Sequence, residues 1–262
     1  MTPTIFAVTF LLRRTFLHFT QIGERRERHL WRMGFLQWED LLRGPLLSEY
    51  RSAWSLWVTE AELSADALEK GDASFFAARL PRQSWWRAVP EFAHKTLFLD
   101  IETTGLFSSD AITLVGIYDG KEYLSFVRRD DWEELRERLG SAAILVTYNG
   151  TNFDLPILRD AFPDWSFPPL HIDLCPLLRR LGYRGGLKGV ERQLGLVRSD
   201  ETASLTGLDA VRLWWRWVDY GDSKALDLLI RYNREDVVHL EPLLVKAYTI
   251  LWEQTYREGE NR

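Results

Sequence analysis

The sequence predicts an α/β fold, in which a sheet is flanked by helices and a smaller helical module comes first. The texture of the chain changes near residues 81–95, because six of the twelve tryptophans lie before or within that stretch, where the pattern is helical. After it, β-branched and aromatic runs alternate with helical patterns, which is typical of layered α/β domains. We therefore place a helical module and linker at residues 1–93 and the α/β domain at residues 94–262.

The strands of the α/β domain are predicted from apolar runs between turn signals. Such runs lie at residues 96–100, 111–118 and 123–128. Asp119-Gly120, between the last two, is a typical hairpin turn. A fourth strand is expected at residues 142–147, which makes three antiparallel strands, a helix and one further strand.

Helices fill the remainder of the domain. The first carries Leu135 and Leu139, with Asp130 or Asp131 as its cap and Gly140 at its end. The later helices are predicted at residues 153–161, 174–182, 187–194 and 208–218, and one or two more run from residue 223 towards the C-terminus.

Composition narrows the class of protein. Hydrophobic residues make up 46% and charged residues 27%, as in a globular protein, and the net charge of −5 does not indicate a generally basic nucleic-acid binder. The single cysteine, Cys175, fits a reducing compartment. The apolar run Ile5–Leu12 is too short to span a bilayer and its charges have the wrong order for a signal peptide. We expect a cytoplasmic protein without membrane association.

Two carboxylates mark the end of the first predicted strand. Asp100 and Glu102 are two residues apart, so their side chains leave the same face of the strand. Carboxylates held that close repel each other unless a cation lies between them. Thr103 and Thr104 add hydroxyl groups at the same place. A strand-end turn with solvated acids is the alternative interpretation.

Two later segments carry further acids. Asp154 follows another strand and opens a helix, where it can bind metal, cap the helix or do both. Asn149, before it, either orients a substrate or closes the turn. Tyr232 and Asp236 are four residues apart and share a helix face, so the phenol can orient a water beside the carboxylate. A surface Tyr–Asp pair is the alternative.

The order of these acids resembles the DEDDy exonucleases of the ribonuclease-H-like superfamily, whose motifs match Asp100 with Glu102, Asp154, and Tyr232 with Asp236. The YprB-like family is similar in more detail, through Trp86-Arg87, Leu187-Lys188-Gly189-Val190-Glu191 and Leu194-Gly195. The resemblance covers about residues 85–250 and implies a ribonuclease-H-like mixed sheet flanked by helices.

The resemblance also implies roles for individual residues. Asp100 would bridge two Mg²⁺ or Mn²⁺ ions about 3.5–4 Å apart, with Glu102 and Asp236 on one ion and Asp154 on the other. Tyr232 would orient the attacking water. The terminal nucleotide would lie against Thr103, Thr104, Leu106, Asn149 and Phe153. Asp173 is expected to be a helix cap and not a ligand.

The N-terminal module resembles a helix-hairpin-helix unit, in which backbone N–H groups hold a DNA phosphate. The spacing of Gly23 and Gly34 and the later Asp40-Leu41-Leu42 carry this likeness, although Gln21 stands where the pattern has its first glycine. Six arginines against two glutamates between residues 11 and 32 form a basic patch that either binds phosphates or packs within the protein.

Taken together, the residues and the resemblance predict a metal-dependent 3′→5′ exonuclease that acts on single-stranded or frayed 3′ ends of DNA or RNA. A structure-specific endonuclease is the rival within this class. A non-catalytic nucleic-acid-binding or repair-scaffold module with the same fold is the alternative outside it. A helicase or polymerase partner is left open. The basic stretch from Arg179 to Lys188 either flanks the substrate groove or is a solvated loop.

Overall fold

We analysed a computed structural model of the chain, which describes residues 11–44, 50–105, 111–128 and 132–260, with side chains up to residue 256. The chain divides into two compact units. The first contains the residues up to His94 together with those from Tyr248 onward, and the second is Lys95–Ala247. The sequence assigned the last residues to the α/β domain, but the contacts group them with the N-terminal residues. The division into a helical module with its linker at residues 1–93 and an α/β domain at residues 94–262 stays a prediction.

The first unit is helical and its core is aromatic. Its α-helices are α1 (Glu24–Arg32), α2 (Arg51–Glu69), α3 (Ala73–Arg79) and α4 (Val89–Phe92), with short 3-10 helices at Leu12–Arg14, Trp38–Arg43 and Arg82–Ala88. Trp38, Trp57 and Phe76 are among its fully buried side chains. The C-terminal residues join this core, since Tyr256 lies against Trp31 and Tyr248 against Trp86, with ring centroids 4.9 and 5.7 Å apart.

The segment that resembles a helix-hairpin-helix contains two residues with positive φ. Gly34 follows α1 with φ 87°, and Gln21 has φ 62°, so Gln21, which stands where the pattern has its first glycine, adopts a left-handed conformation that favours glycine. Four of the arginines in the basic patch have partners within the unit, among them Arg28, which pairs with Glu24 at 3.9 Å, and Arg14, whose guanidinium lies 4.7 Å from the ring centroid of Tyr256. Arg13 pairs with Glu39, and Arg26 donates to the carbonyl oxygen of Gln21. Phosphate binding by this segment stays a prediction.

The second unit contains a mixed five-stranded sheet in the order β3-β2-β1-β4-β5. The strands are β1 (Thr96–Thr103), β2 (Ile112–Tyr118), β3 (Tyr123–Val127), β4 (Ile144–Thr147) and β5 (Leu170–Asp173). The pairs β1–β2 and β2–β3 are antiparallel, whereas β1–β4 and β4–β5 are parallel. The predicted α/β class with a mixed sheet is confirmed. The sequence missed β5, because it is only four residues long, follows two prolines and contains polar His171 and Asp173.

Eight helices of the described part of the chain follow the first three strands. They are α5 (Glu133–Ser141), α6 (Asp154–Ala161), α7 (Leu174–Arg180), α8 (Gly186–Gln193), α9 (Asp200–Ala203), α10 (Gly207–Tyr220), α11 (Ser223–Val238) and α12 (Leu240–Glu260), and the residues of α12 from Tyr248 onward belong to the first unit. The predicted caps Asp130 and Asp131 lie outside the described residues. The four-residue α9 was not predicted. Among the described residues, no helix is both long enough and apolar enough to span a bilayer.

Successive side chains of β1 point to opposite faces of the sheet, which separates the core residues from the two acids. Leu97, Leu99 and Ile101 pack in a core with Leu145 and Leu158, on the face covered by α5 and α6. A second core, on the face covered by α10 and α11, contains Leu114, Trp214 and Leu229. Asp100 and Glu102 alternate with the first set and therefore face α11.

Candidate metal centre

Three of the predicted ligands converge where β1 meets α11. Asp100, Glu102 and Asp236 each place a carboxylate oxygen within 4.8 Å of the others. Oxygens that bind one Mg²⁺ at about 2.1 Å lie at most about 4.2 Å apart, so small side-chain rotations would bring these three onto one ion. The register of β1 and β2 shifts between Glu102 and Thr103, and such irregularities re-aim side chains near functional sites.

The environment of the three carboxylates favours a cation. Glu102 and Asp236 are only 8% and 7% exposed. Burial raises the pKa of Asp100, and the negative charges of Asp154, Asp236 and Glu102 raise it further. Burial and the charge of Asp236 likewise raise the pKa of Glu102. A divalent ion would reverse this balance by stabilising the ionised forms.

The hydrogen bonding of one Glu102 oxygen indicates whether a metal ion would fit among these carboxylates. Its Oε1 is buried and has no hydrogen-bond partner among the described residues. Buried acceptors without partners are uncommon in folded proteins, and coordination of a cation would satisfy this oxygen. All the candidate ligands are carboxylate oxygens, which suits a hard cation such as Mg²⁺ or Mn²⁺.

Asp154 lies beside this group but is held differently. It is the first residue of α6, and the cap position belongs to Phe153, so Asp154 is not the N-cap. Its Oδ1 accepts from the backbone N–H of Ile101 at 3.1 Å. Burial raises the pKa of Asp154 to about 7, and the charges of Asp173 and Asp236 contribute. The carboxylate therefore adjoins the three-acid group through β1 without belonging to it.

Tyr232 lies one turn before Asp236 on α11 and is largely buried. Lys188 Nζ is 5.0 Å from the centroid of its ring, and the guanidinium of Arg198 is 5.9 Å away. Burial raises the pKa of Tyr232, and the charges of Asp236, Glu102 and Asp100 raise it further. The phenol therefore stays protonated at neutral pH and can donate a hydrogen bond.

Sequence reasoning assigned no role to Asn233, which is 0% exposed. Its Nδ2 donates to Asp100 Oδ2 at 2.9 Å, and its Oδ1 accepts from the hydroxyl of Tyr123 at 2.8 Å. Gly116 makes room for this amide, because a Cβ there would lie 1.8 Å from Asn233 Oδ1. A glycine inside a strand signals close approach of another group, and this was the available clue.

Arg198 is a second residue that the sequence did not indicate. It lies between α8 and α9, donates to Glu191 through two bonds of 2.6 Å, and also donates to Asp236. His239 contacts the same Glu191 carboxylate at 3.0 Å. Glu191 is one of the residues that carry the YprB-like resemblance, and here it anchors the arginine that neutralises Asp236.

The residues expected to contact a nucleotide lie around the ends of β1 and β4. Thr103 ends β1, and its Oγ1 accepts from the backbone N–H of Gly105 at 3.2 Å. Asn149 is exposed with φ 65°, and Phe153 is half-buried before α6. Thr104 lies directly after β1, whereas Leu106 lies outside the described residues.

Asp173 is the helix cap that the sequence predicted. Its Oδ1 accepts from the N–H of Cys175 at 3.0 Å, at the start of α7. The same carboxylate accepts from the N–H groups of Asn149 and Thr151 at 2.7 and 3.0 Å. Asp173 therefore shapes the turn after β4 and has few lone pairs left for a metal.

Comparison with known proteins adds a family. A family model described as the RNase H superfamily matches residues 97–248, more than half of the chain. Among solved structures, the chain is similar to the family B DNA polymerase from the hyperthermophilic archaeon Pyrobaculum calidifontis, with 20% sequence identity and a TM-score of 0.46. That match covers 60% of this chain and 24% of the polymerase chain, about a quarter of its length. No curated protein matches the chain.

Proposed function

The chain belongs to the RNase H superfamily, and from this premise we propose that it is a metal-dependent 3′→5′ exonuclease that hydrolyses phosphodiester bonds of DNA or RNA. The observation that carries the proposal is the convergence of Asp100, Glu102 and Asp236 around a buried Glu102 oxygen without a partner. Burial raises the pKa of each of these acids, which means that it disfavours their ionised forms. Packing alone therefore does not explain why they lie together.

In the proposed reaction, each residue has a separate role. Asp100, Glu102, Asp236 and Asp154 would hold two Mg²⁺ or Mn²⁺ ions. The bound ions would supply Lewis-acid stabilisation of the attacking and leaving oxygens. Tyr232, protonated at neutral pH, would hold the attacking water by a hydrogen bond. Asn233 would keep Asp100 in one orientation through its 2.9 Å bond.

The nucleotide would lie against residues at the ends of β1 and β4 or shortly after them in the sequence. The hydroxyls of Thr103 and Thr104 and the amide of Asn149 would make polar contacts with the nucleotide, and the ring of Phe153 would contact a base or sugar. Leu106 completes the proposed set. The substrate would be a single-stranded or frayed 3′ end of DNA or RNA.

The direct test uses DNA and RNA oligonucleotides, single- and double-stranded, labelled at either end and incubated with Mg²⁺ or Mn²⁺. We expect stepwise shortening from the 3′ end, abolished by EDTA. The Asp100→Asn and Asp236→Asn variants should each lose more than about 100-fold in rate, since even residues that only orient metal ligands contribute about 10–100-fold.

The Asp227→Asn variant is the matched control, because Asp227 is exposed on the same helix as Asp236. It should cleave at the wild-type rate. Full activity in EDTA, or in the doubly substituted Asp100→Asn/Asp236→Asn protein, would overturn the proposal. Internal fragments instead of mononucleotides would identify an endonuclease.

Arg198 supports one second candidate, a non-catalytic nucleic-acid-binding or repair-scaffold module. It already places a positive charge on Asp236, so the acids have a partial counter-ion within the chain. Tight binding of a labelled oligonucleotide with no cleavage in Mn²⁺ would favour this candidate. The YprB-like affiliation, the helix-hairpin-helix function and the cytoplasmic location stay predictions.

A further inference from the structure

A cleft of the second unit lies apart from the three-acid group. Its volume is 690 Å³, within the range of about 300–1,000 Å³ that is typical of ligand sites. It lies at the carboxyl ends of β4 and β5, between the turn after β4 and the loop from α7 to α8. The side chains that matter for its chemistry are Tyr148, Asn149, Arg179, Tyr183 and Arg184.

The cleft carries positive charge. Arg179 and Arg184 are exposed, and within the described residues neither forms an ion pair with an acidic side chain. The Nη2 of Arg179 lies 3.7 Å from Cys175 Sγ. The nearby carboxylate of Asp173 is occupied by three backbone N–H groups. Both guanidinium groups therefore have N–H donors to offer an anion, and guanidinium groups match phosphate oxygens well.

The cleft also carries aromatic rings. Tyr148 and Tyr183 line the cleft and are half-buried, so part of each side chain is accessible there. Tyr148 forms a hydrogen bond with Cys175, and burial raises its pKa to about 12. Rings beside cations are the usual means of holding a single strand, because bases stack on the rings while the cations contact the backbone.

The strand register relates the cleft to the candidate metal centre. β1 and β4 are parallel, with Phe98 opposite Val146. Asp100 lies two residues beyond this last pair on β1, and Tyr148 is the first residue after β4, so both lie at the same edge of the sheet. The cleft therefore begins beside the strand that neighbours β1. A strand of nucleic acid whose end lies at Asp100 would find the cleft at the same edge of the sheet.

We propose that this cleft is a subsite for single-stranded nucleic acid, in which Arg179 and Arg184 contact backbone phosphates and Tyr183 stacks with a base. The inference rests on the proposed function, because it names where the substrate of that site continues beyond its terminal nucleotide. Asn149 connects the two places, since it lines the cleft and is also expected to contact the terminal nucleotide.

Binding without cleavage tests the subsite. The full-length Asp100→Asn protein is titrated in EDTA with fluorescent 12-nucleotide DNA and RNA homopolymers, and anisotropy gives Kd over a range of salt concentrations. Arg179→Gln/Arg184→Gln should lower the slope of log K against log salt by about 1.4, since each phosphate contact on a single strand contributes about 0.7. Tyr183→Leu should weaken binding about 5- to 150-fold at constant salt slope.

Arg180→Gln is the matched control, because Arg180 is exposed and adjacent to Arg179 but does not line the cleft. It should leave the slope unchanged. Thermal unfolding of each variant, expected at the wild-type temperature because the replaced side chains are exposed or half-buried, shows that the fold is kept.

The outcomes separate the subsite from the nuclease proposal. If the cleft variants bind as Arg180→Gln does, or if no oligonucleotide binds, the subsite is overturned even where the wild type cleaves. If binding depends on Arg179, Arg184 and Tyr183 while the wild type never cleaves, the subsite stands and the nuclease proposal fails. A dependence seen with DNA only or RNA only assigns the sugar and supports the subsite.

Discussion

Substitution of Gly116 by alanine should destabilise the protein through a residue on another element. Gly116 lies in the middle of β2, opposite Asp100 of β1. A Cβ at this position would be 1.8 Å from Asn233 Oδ1 and 3.0 Å from Tyr123 Cε2. Asn233 is fully buried and has no free space to enter, so the amide must break its bonds to Asp100 and Tyr123 or β2 must move.

The size of the effect follows from three contributions. Overpacking of a core position costs about 1–3 kcal/mol. Displacing the amide leaves buried polar atoms without partners, at about 1–3 kcal/mol. The more restricted unfolded chain of the alanine variant offsets about 0.4–1 kcal/mol. We expect a net loss of roughly 1–5 kcal/mol in the free energy of unfolding.

Urea unfolding followed by tryptophan fluorescence measures this loss. Gly140→Ala is the control, since Gly140 lies in α5 with nothing within 4 Å of its added Cβ, and it should stabilise by about 0.5–1 kcal/mol. A double-mutant cycle isolates the clash, because Asn233→Ala removes the atom that the new methyl group would strike. Wild-type stability of Gly116→Ala, or additive effects in Gly116→Ala/Asn233→Ala, would refute the reasoning.

Two further predictions concern charge at the three-acid group. Arg198→Gln leaves Asp236 and Glu191 without their buried cation, so the free energy of unfolding in urea should fall by about 3–5 kcal/mol without metal and by less in Mn²⁺. Arg212→Gln is the control, because Arg212 belongs to an exposed pair, and it should cost under about 1 kcal/mol. Equal losses for Arg198→Gln with and without Mn²⁺ would contradict this. Because the pKa of Asp154 is raised to about 7, the folded protein binds more protons than the unfolded chain, so metal-free stability should be highest below about pH 4 from this group and fall as the pH rises to 7. Asp154→Asn should flatten that fall in a pH series of urea titrations, and an unchanged pH profile would show that another group causes it.

Local patterns predicted most of the fold. The strands β1 to β4 and the helices of the second unit other than the four-residue α9 are encoded by runs of neighbouring residues, so a periodic pattern is enough to find them. The short strand β5 was not predicted, because its stability comes from pairing with β4 and this pairing leaves no pattern among neighbouring residues. The Asp119-Gly120 hairpin was visible because turn geometry depends on two adjacent residues.

The sequence by itself determined the spacing of the acids: Asp100 and Glu102 on one face of a strand, and Tyr232 and Asp236 on one face of a helix. Those relations follow from the two-residue and 3.6-residue periods of the backbone. Only the tertiary structure decided what surrounds them. Asn233 reaches Asp100 across 133 residues of sequence, and Arg198 reaches Asp236 across 38. Such contacts depend on how separate helices and strands pack together, and this packing cannot be predicted from the residues near each acid.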